Sequence, residues 1–322
     1  MSITSYEQEL EQDKIASQNF VKLATSSSHE DREKAAEIGN EVIKERIREK
    51  AMPLSMFTWT TTTNDQLIPQ LETEENIRYF DYEVDSPASI NVGLYANPHN
   101  YIFAGRRGAM KFYQIFTPRM LKDTNEMRTY SYDIRKLFAD NIVRDMALTL
   151  NMDWLNANQL CLGAPNSTPV WANAPQWVQS TGGLGRETIP NIKAQMLRVQ
   201  GDRGFEVKQL LTNVITALEP AKFGREESGG DIAQSMLKEG VTEDGWGGMR
   251  WYITMNTLMV PTGTIWGFTD EKYYIRCSHL QELTMYIESK LNMIEFVALA
   301  NYGMLIVNQR NVIRTDLLGL NP

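Results

Sequence analysis

The chain has 322 residues, 42% of them hydrophobic and 22% charged, and a formal net charge of -8. That length supports one large domain or two modest ones with a real core, and the composition is ordinary for a globular chain. The acidic balance argues against a surface built for nucleic-acid phosphates or anionic lipid; no apolar run reaches membrane-span length, and the N-terminus does not read as a secretory signal.

Residues 1–50 are expected to be helical and highly charged. Ser27-Ser28-His29-Glu30 offers a capping-box start. Ala35, Ile38, Val42, Ile43 and Ile47 then form a thin apolar stripe. A stripe this narrow buries little within its own domain, so it fits either a partner surface or a solvated amphipathic arm. Residues 51–69, with Thr60 to Thr63 in a row, read as an extended strap.

A two-armed ribbon follows, and the rest of the chain is organised around it. Its first arm runs from Tyr79 to Val84 and from Ile90 to Tyr95; its second holds Tyr101 to Phe103 and Met110 to Phe116. Both mix aromatic, β-branched and polar residues. Asn97-Pro98-His99-Asn100 and Gly105-Arg106-Arg107-Gly108 interrupt the run, as an irregular hairpin tip would. Each arm spans roughly 50 Å at about 3.3 Å per residue. A compact chain of this size has a radius of gyration near roughly 20 Å. A lone hairpin is marginal in water, so a long one needs a support, and a neighbouring subunit is the natural one. Acidic Asp81, Glu83 and Asp85 lie on the first arm, and basic Arg106, Arg107 and Lys111 on the second. They are expected either to pair across the strands or to set the register against a neighbour. The ribbon's length favours the second.

From about Tyr130 to Leu162 the spacing predicts one long helix. Ile134, Leu137, Phe138, Ile142, Met146 and Leu150 supply its buried face, and Gly163, Pro165 and Pro169 end it. Residues 166–185 read as an irregular loop pinned by Trp171 and Trp177. Short elements follow: a helix over 189–199, a strand over 207–211 and a helix over 212–223. The glycine-rich stretch 224–248 comes next, then strands over 250–255 and 264–268. Residues 281–292 and 294–307 alternate as long antiparallel strands would, and 312–318 closes the chain. The mixture is α+β, without the strand–helix repetition of a doubly wound sheet.

No catalytic pattern emerges, and no cofactor or metal is expected. His29, His99 and His279 are far apart in sequence and fit no ligand spacing. There is no nucleophile elbow and no phosphate loop; Gly182-Gly183-Leu184-Gly185 reads as a plain turn. Cys161 and Cys277 lack C-x-x-C spacing and fit buried, reduced thiols in a reducing compartment. Asp231, Glu239, Glu243 and Asp244 cluster among glycines, where a solvated acidic loop is the plainest reading and a weak cation or enzyme site the alternative.

Three segments carry a resemblance: Val260-Pro261-Thr262-Gly263-Thr264-Ile265-Trp266-Gly267-Phe268, Asn292-Met293-Ile294-Glu295-Phe296-Val297-Ala298, and Tyr302-Gly303-Met304. With the order of parts along nearly the whole chain, they resemble the major capsid protein of tailed bacteriophages, the Hong Kong 97 type shell fold shared with encapsulins. The resemblance implies an N-terminal arm (1–75), an extended loop overlapping a neighbour (76–123), a peripheral domain (124–187 and 260–308) with a spine helix, and an axial domain (188–259 and 309–322). It implies a non-enzymatic protein that assembles with copies of itself as pentamers and hexamers. The product is an icosahedral virion shell, built in the host cytoplasm, enclosing double-stranded DNA without sequence specificity. Its partners would be a portal protein and a scaffold or decoration protein, with no membrane involved. Family members often lose a scaffolding segment to a protease, whereas the N-terminal helices here are expected to be retained. An encapsulin-like compartment and, from another class, a soluble enzyme are the alternatives.

Overall fold

The computed structural model describes residues 15–26, 28–69, 76–82, 106–129, 134–185, 187–201, 205–219, 248–290 and 292–320. In chain order its elements begin with α1 (15–24), α2 (His29–Lys50), α3 (Met52–Met56), β1 (Trp59–Thr61) and β2 (Ile68–Pro69). Then come β3 (Asn76–Tyr82), β4 (Arg106–Phe116), β5 (Met120–Asp123), α4 (Thr124–Thr129) and α5 (Ile134–Leu162). The second half holds β6 (Trp177–Ser180), α6 (Thr188–Gln200), β7 (Gln209–Asn213), α7 (Val214–Leu218), β8 (Arg250–Thr254) and β9 (Thr264–Phe268). The chain closes with α8 (Glu271–Tyr274), β10 (Ile275–Lys290), β11 (Met293–Ile306) and β12 (Val312–Leu317).

Two sheets organise these elements. The larger has strand order β1-β10-β11-β4-β3-β2, with β5 also on β11. Its backbone is the long β10–β11 hairpin, paired from Ile275↔Ile306 to Lys290↔Met293 and irregular between His279 and Thr284. On the far side of β11, β4 takes Leu299–Gly303 and β5 takes Met293–Phe296. The smaller sheet runs β6-β12-β9-β7-β8. Gly263, at φ +83°, makes the turn into β9 that a β-carbon would oppose.

The helix face of α5 decides how the larger sheet is covered. Phe138, Ile142, Val143, Met146, Ala147 and Leu150 pack on Phe296, Ala298 and Ala300 of β11 and on Leu283, Met285 and Ile287 of β10. Phe138 stacks on Phe296 with ring centroids 4.2 Å apart, and Phe20 of α1 approaches the same ring at 6.5 Å. One expected core position is wrong. Leu137 is 39% exposed, while Ala139, Val143 and Ala147 are buried. At about 100° per residue, 137 falls nearly opposite the centre of the arc that holds 138, 142, 146 and 150. The side chain of Ile134 lies outside the described residues. Leu137→Ala should therefore change stability by less than about 0.5 kcal/mol. Phe138→Ala should cost about 3–5 kcal/mol, and urea unfolding of both variants separates the two positions.

The N-terminal stripe is neither a solvated arm nor a surface waiting for a partner. Ala35, Ile43 and Ile47 are buried in the same core as α5, β10 and β11; Ile38 is 37% exposed, and the side chain of Val42 is outside the described residues. Gly39 permits the contact, because a β-carbon there would strike the Met285 side chain. Lys44 pairs with Glu282 at 2.7 Å, and Arg46 pairs with Asp140. The capping box does not form either: Ser28 occupies the cap position without a side-chain bond, and Ser26 Oγ donates to Asp31 at 2.7 Å instead.

The smaller sheet draws in two strands expected elsewhere. β6 lies within the stretch read as a loop and pairs in parallel with β12; β9, grouped with the long strands, sits between β12 and β7. α6 covers one face through Ile189, Ile192, Met196 and Val199. The helix expected over 212–223 is shorter among the described residues. Thr212 and Asn213 end β7, and Asn213 caps α7 by accepting from the Thr216 N–H at 2.7 Å. Between the sheets, Trp154, Leu155 and Leu162 of α5 meet Phe57, Trp266, Phe268, Tyr274 and Val312 in a third core.

Candidate inter-subunit interface

The ribbon grows out of the larger sheet, and its base is built by its own chain. Phe112 to Phe116 of β4 pair with β11, whereas Arg106 to Lys111 pair with β3, from Tyr82↔Arg106 to Ile77↔Lys111, and with no other described strand. One strand therefore belongs to the sheet at its root and to the ribbon beyond it. Gly105–Gly108, expected to break this arm, is part of β4 from Arg106 onward, with Gly108 opposite Phe80. Buried Ile77 and Met110 anchor the root. Arg78 adds to the anchorage by donating to Thr62 Oγ1 at 2.9 Å. β2 covers only Asn76 and Ile77 on the outer side of β3.

One pair of these charges meets across the strands, the first of the two expectations. Asp81 and Arg107 face each other across the strands, with Nε to Oδ1 at 2.7 Å and a second bond at 3.3 Å. The Arg107 hydrogen bond holds the Asp81 carboxyl below its usual pKa, and Asp81 raises that of Arg107. Both side chains are well exposed, so the pair fixes geometry more than it stabilises. The Arg107 guanidinium also lies 5.7 Å from the Tyr79 ring. Lys111 sits at the root opposite Ile77, and the backbone of Arg106 lies opposite Tyr82. Glu83, Asp85 and His99 fall outside the described residues, as do Asp231, Glu239, Glu243 and Asp244.

Sequence reasoning missed the apolar half of this surface. Tyr113 is 63% exposed, Phe116 58% and Leu121 54%, around the exit of the ribbon. Strand periodicity gave no signal for it, because exposed Tyr113 has the parity of buried Ile115 and exposed Phe116 that of buried Met110.

Among the described residues no group of three or more His, Cys, Asp or Glu is placed to hold a metal. No described helix is long and apolar enough to cross a membrane. Cys161 and Cys277 are free and buried; burial pushes the Cys161 thiol up to about 11 and that of Cys277 further. The buried carboxylate of Asp316 accepts from Trp177 Nε1 at 2.7 Å, Arg314 Nε at 2.9 Å and Thr264 Oγ1 at 3.0 Å. Those partners bind β6, β9 and β12 together, which is a structural task.

No family model matches the sequence, and no curated protein matches it. Solved structures do. A Microbacterium phage Oxtober96 chain is similar with a TM-score of 0.53 at 8% identity, over 83% of this chain and 90% of that one. The capsid of the cyanophage P-SCSP1u gives 0.51 at 8% identity, covering 81% and 86%. The fold is that of tailed-phage major capsid proteins. A virus-like particle from Pyrococcus furiosus shares it, with a TM-score of 0.51 at 8% identity over 87% of this chain and 98% of that one. At such identities the Hong Kong 97 type architecture is common to these chains while their side chains are not.

Proposed function

We propose that this protein is the structural subunit of an icosahedral shell, assembling as pentamers and hexamers, with no enzymatic role. The single observation that carries the reading is a ribbon rooted in the subunit's own sheet that, among the described residues, pairs between β3 and β4 alone beyond Lys111, on a capsid-type fold. In this reading 76–123 is the extended loop that overlaps a neighbour, and Asp81 with Arg107 stiffens it for that contact. The larger sheet with α1, α2 and α5 is the peripheral domain. The smaller sheet, including β6 and β9, is the axial domain; the glycine-rich stretch 224–248 lies almost wholly outside the described residues.

The contents are double-stranded DNA, held without sequence specificity. The net charge of -8 suits this, since a strongly basic lumen would bind phosphates and impede packing. A portal protein and a scaffold or decoration protein are the further partners, and the virion shell, assembled in the host cytoplasm, is the location. A second reading, a protein nanocompartment, is favoured by the likeness to the Pyrococcus furiosus virus-like particle. Purified protein examined by light scattering should give megadalton particles or capsomers, and a small oligomer would defeat both readings. Nucleic acid inside the particles supports the virion, and protein cargo the compartment.

A further inference from the structure

Along the described strands the chain passes between the two sheets three times: from α5 to β6, from β9 through α8 to β10, and from β11 to β12. The last two passages are short, residues 269–274 and 307–311. They lie side by side, because the Val307 N–H donates to the Tyr274 carbonyl at 2.9 Å and the Thr269 N–H to the Asn311 carbonyl at 3.2 Å. Three amide side chains then tie all the passages together. Asn311 Nδ2 donates to the Tyr273 carbonyl at 2.8 Å, which joins the second passage to the third. Gln176, at the end of the first, donates from Nε2 to the carbonyls of Gln309 at 2.6 Å and Val312 at 2.9 Å. Gln200, the last residue of α6, donates from Nε2 to Asn311 Oδ1 at 2.8 Å and accepts from the Phe205 N–H at the same distance.

All three amides are buried. A buried amide that loses its partner is left unpaired away from water, so a joint of this kind has one favoured arrangement. Elsewhere between the sheets the third core supplies mainly aromatic packing, and packed elements can slide by small steps without losing it. We infer that Gln176, Gln200 and Asn311 form a lock that fixes the angle between the two sheets. The subunit then moves as one rigid body, and the sheets do not swing about the passages that join them. This lock is a property of the single chain and does not depend on the shell reading. On that reading it has a consequence: where subunits take unlike positions in pentamers and hexamers, the adjustment falls to segments outside the two sheets.

The test uses the full chain carrying two nitroxide labels, one at Leu148→Cys on α5 over the larger sheet and one at Leu197→Cys on α6 over the smaller. Both positions are exposed, and native Cys161 and Cys277 are buried. Labelled subunits are diluted among unlabelled ones, so that pulsed electron-spin resonance reads the distance within one chain. The expected distribution is a single narrow peak. Asn311→Ala removes two bonds of the lock and should broaden that peak to about twice its width or add a second one. If Asn311→Ala does not fold, Gln200→Met is read in its place. Phe138→Ala, which weakens the core of the larger sheet away from the lock, should leave the peak narrow. A broad or double peak without any lock substitution overturns the inference. So does a folded lock variant that keeps the narrow peak, or a Phe138→Ala peak as broad as that of the lock variant.

Discussion

Deleting residues 97–108 should leave a folded subunit that makes no closed shells. Reversing the charge at Arg106, Arg107 and Lys111 together should do the same. The fold survives because Phe112–Phe116 keep their pairing with β11. What the deletion removes in the described part is the outer end of β4, including the partners of Phe80, Asp81 and Tyr82. Cross-strand pairs of this kind contribute about 0.2–1 kcal/mol each, well within the stability of a typical domain. The loss of assembly should be complete, since every copy loses the same contact at once. Circular dichroism and size-exclusion chromatography check the two halves of this expectation, and variants that assemble normally would show that the ribbon does not join subunits.

Trp154→Ala should abolish the folded subunit itself. Trp154 is fully buried where α5 passes between the two sheets, with ring centroids 5.7 Å from Phe57 and 5.2 Å from Phe268. Its indole N–H donates to the Tyr274 hydroxyl at 3.2 Å; that hydroxyl donates to Asn158 Oδ1, and Asn158 Nδ2 returns to the Trp154 carbonyl at 3.0 Å. Removing a buried aromatic of this size costs about 3–5 kcal/mol, and the loop of hydrogen bonds loses its donor as well. Domains are typically stable by only about 5–15 kcal/mol, so little remains. Tyr274→Phe keeps the packing but leaves the Asn158 acceptor unpaired, at a cost of about 1–3 kcal/mol. Thermal unfolding should rank the two variants in that order.

Much of this architecture is legible in the residues, and the failures share a physical cause. The strand at 264–268 and the helix near 189–199 declare themselves because periodicity and the flanking Pro261-Thr262-Gly263 agree. The long helix is equally clear in extent, but Leu137 was assigned to a face that only the sheet beneath could define. α2 looked too thinly apolar to dock because part of its fit is the absence of a side chain at Gly39 and a polar bond from Asn40, neither of which registers as hydrophobicity. β10 begins before its apolar alternation does, since Arg276, Ser278 and His279 sit among its first residues. The ribbon's charges were visible in the sequence, while their pairing depended on a register that places Asp81 opposite Arg107. Local pattern thus reaches as far as elements; burial depends on the partner's shape.

A cryo-electron-microscopy reconstruction of particles purified from cells expressing the full chain tests the central claim most directly. The expected density is a closed shell in which each ribbon lies against another copy. A ribbon folded wholly onto its own subunit, with no neighbour touching it, would contradict the account.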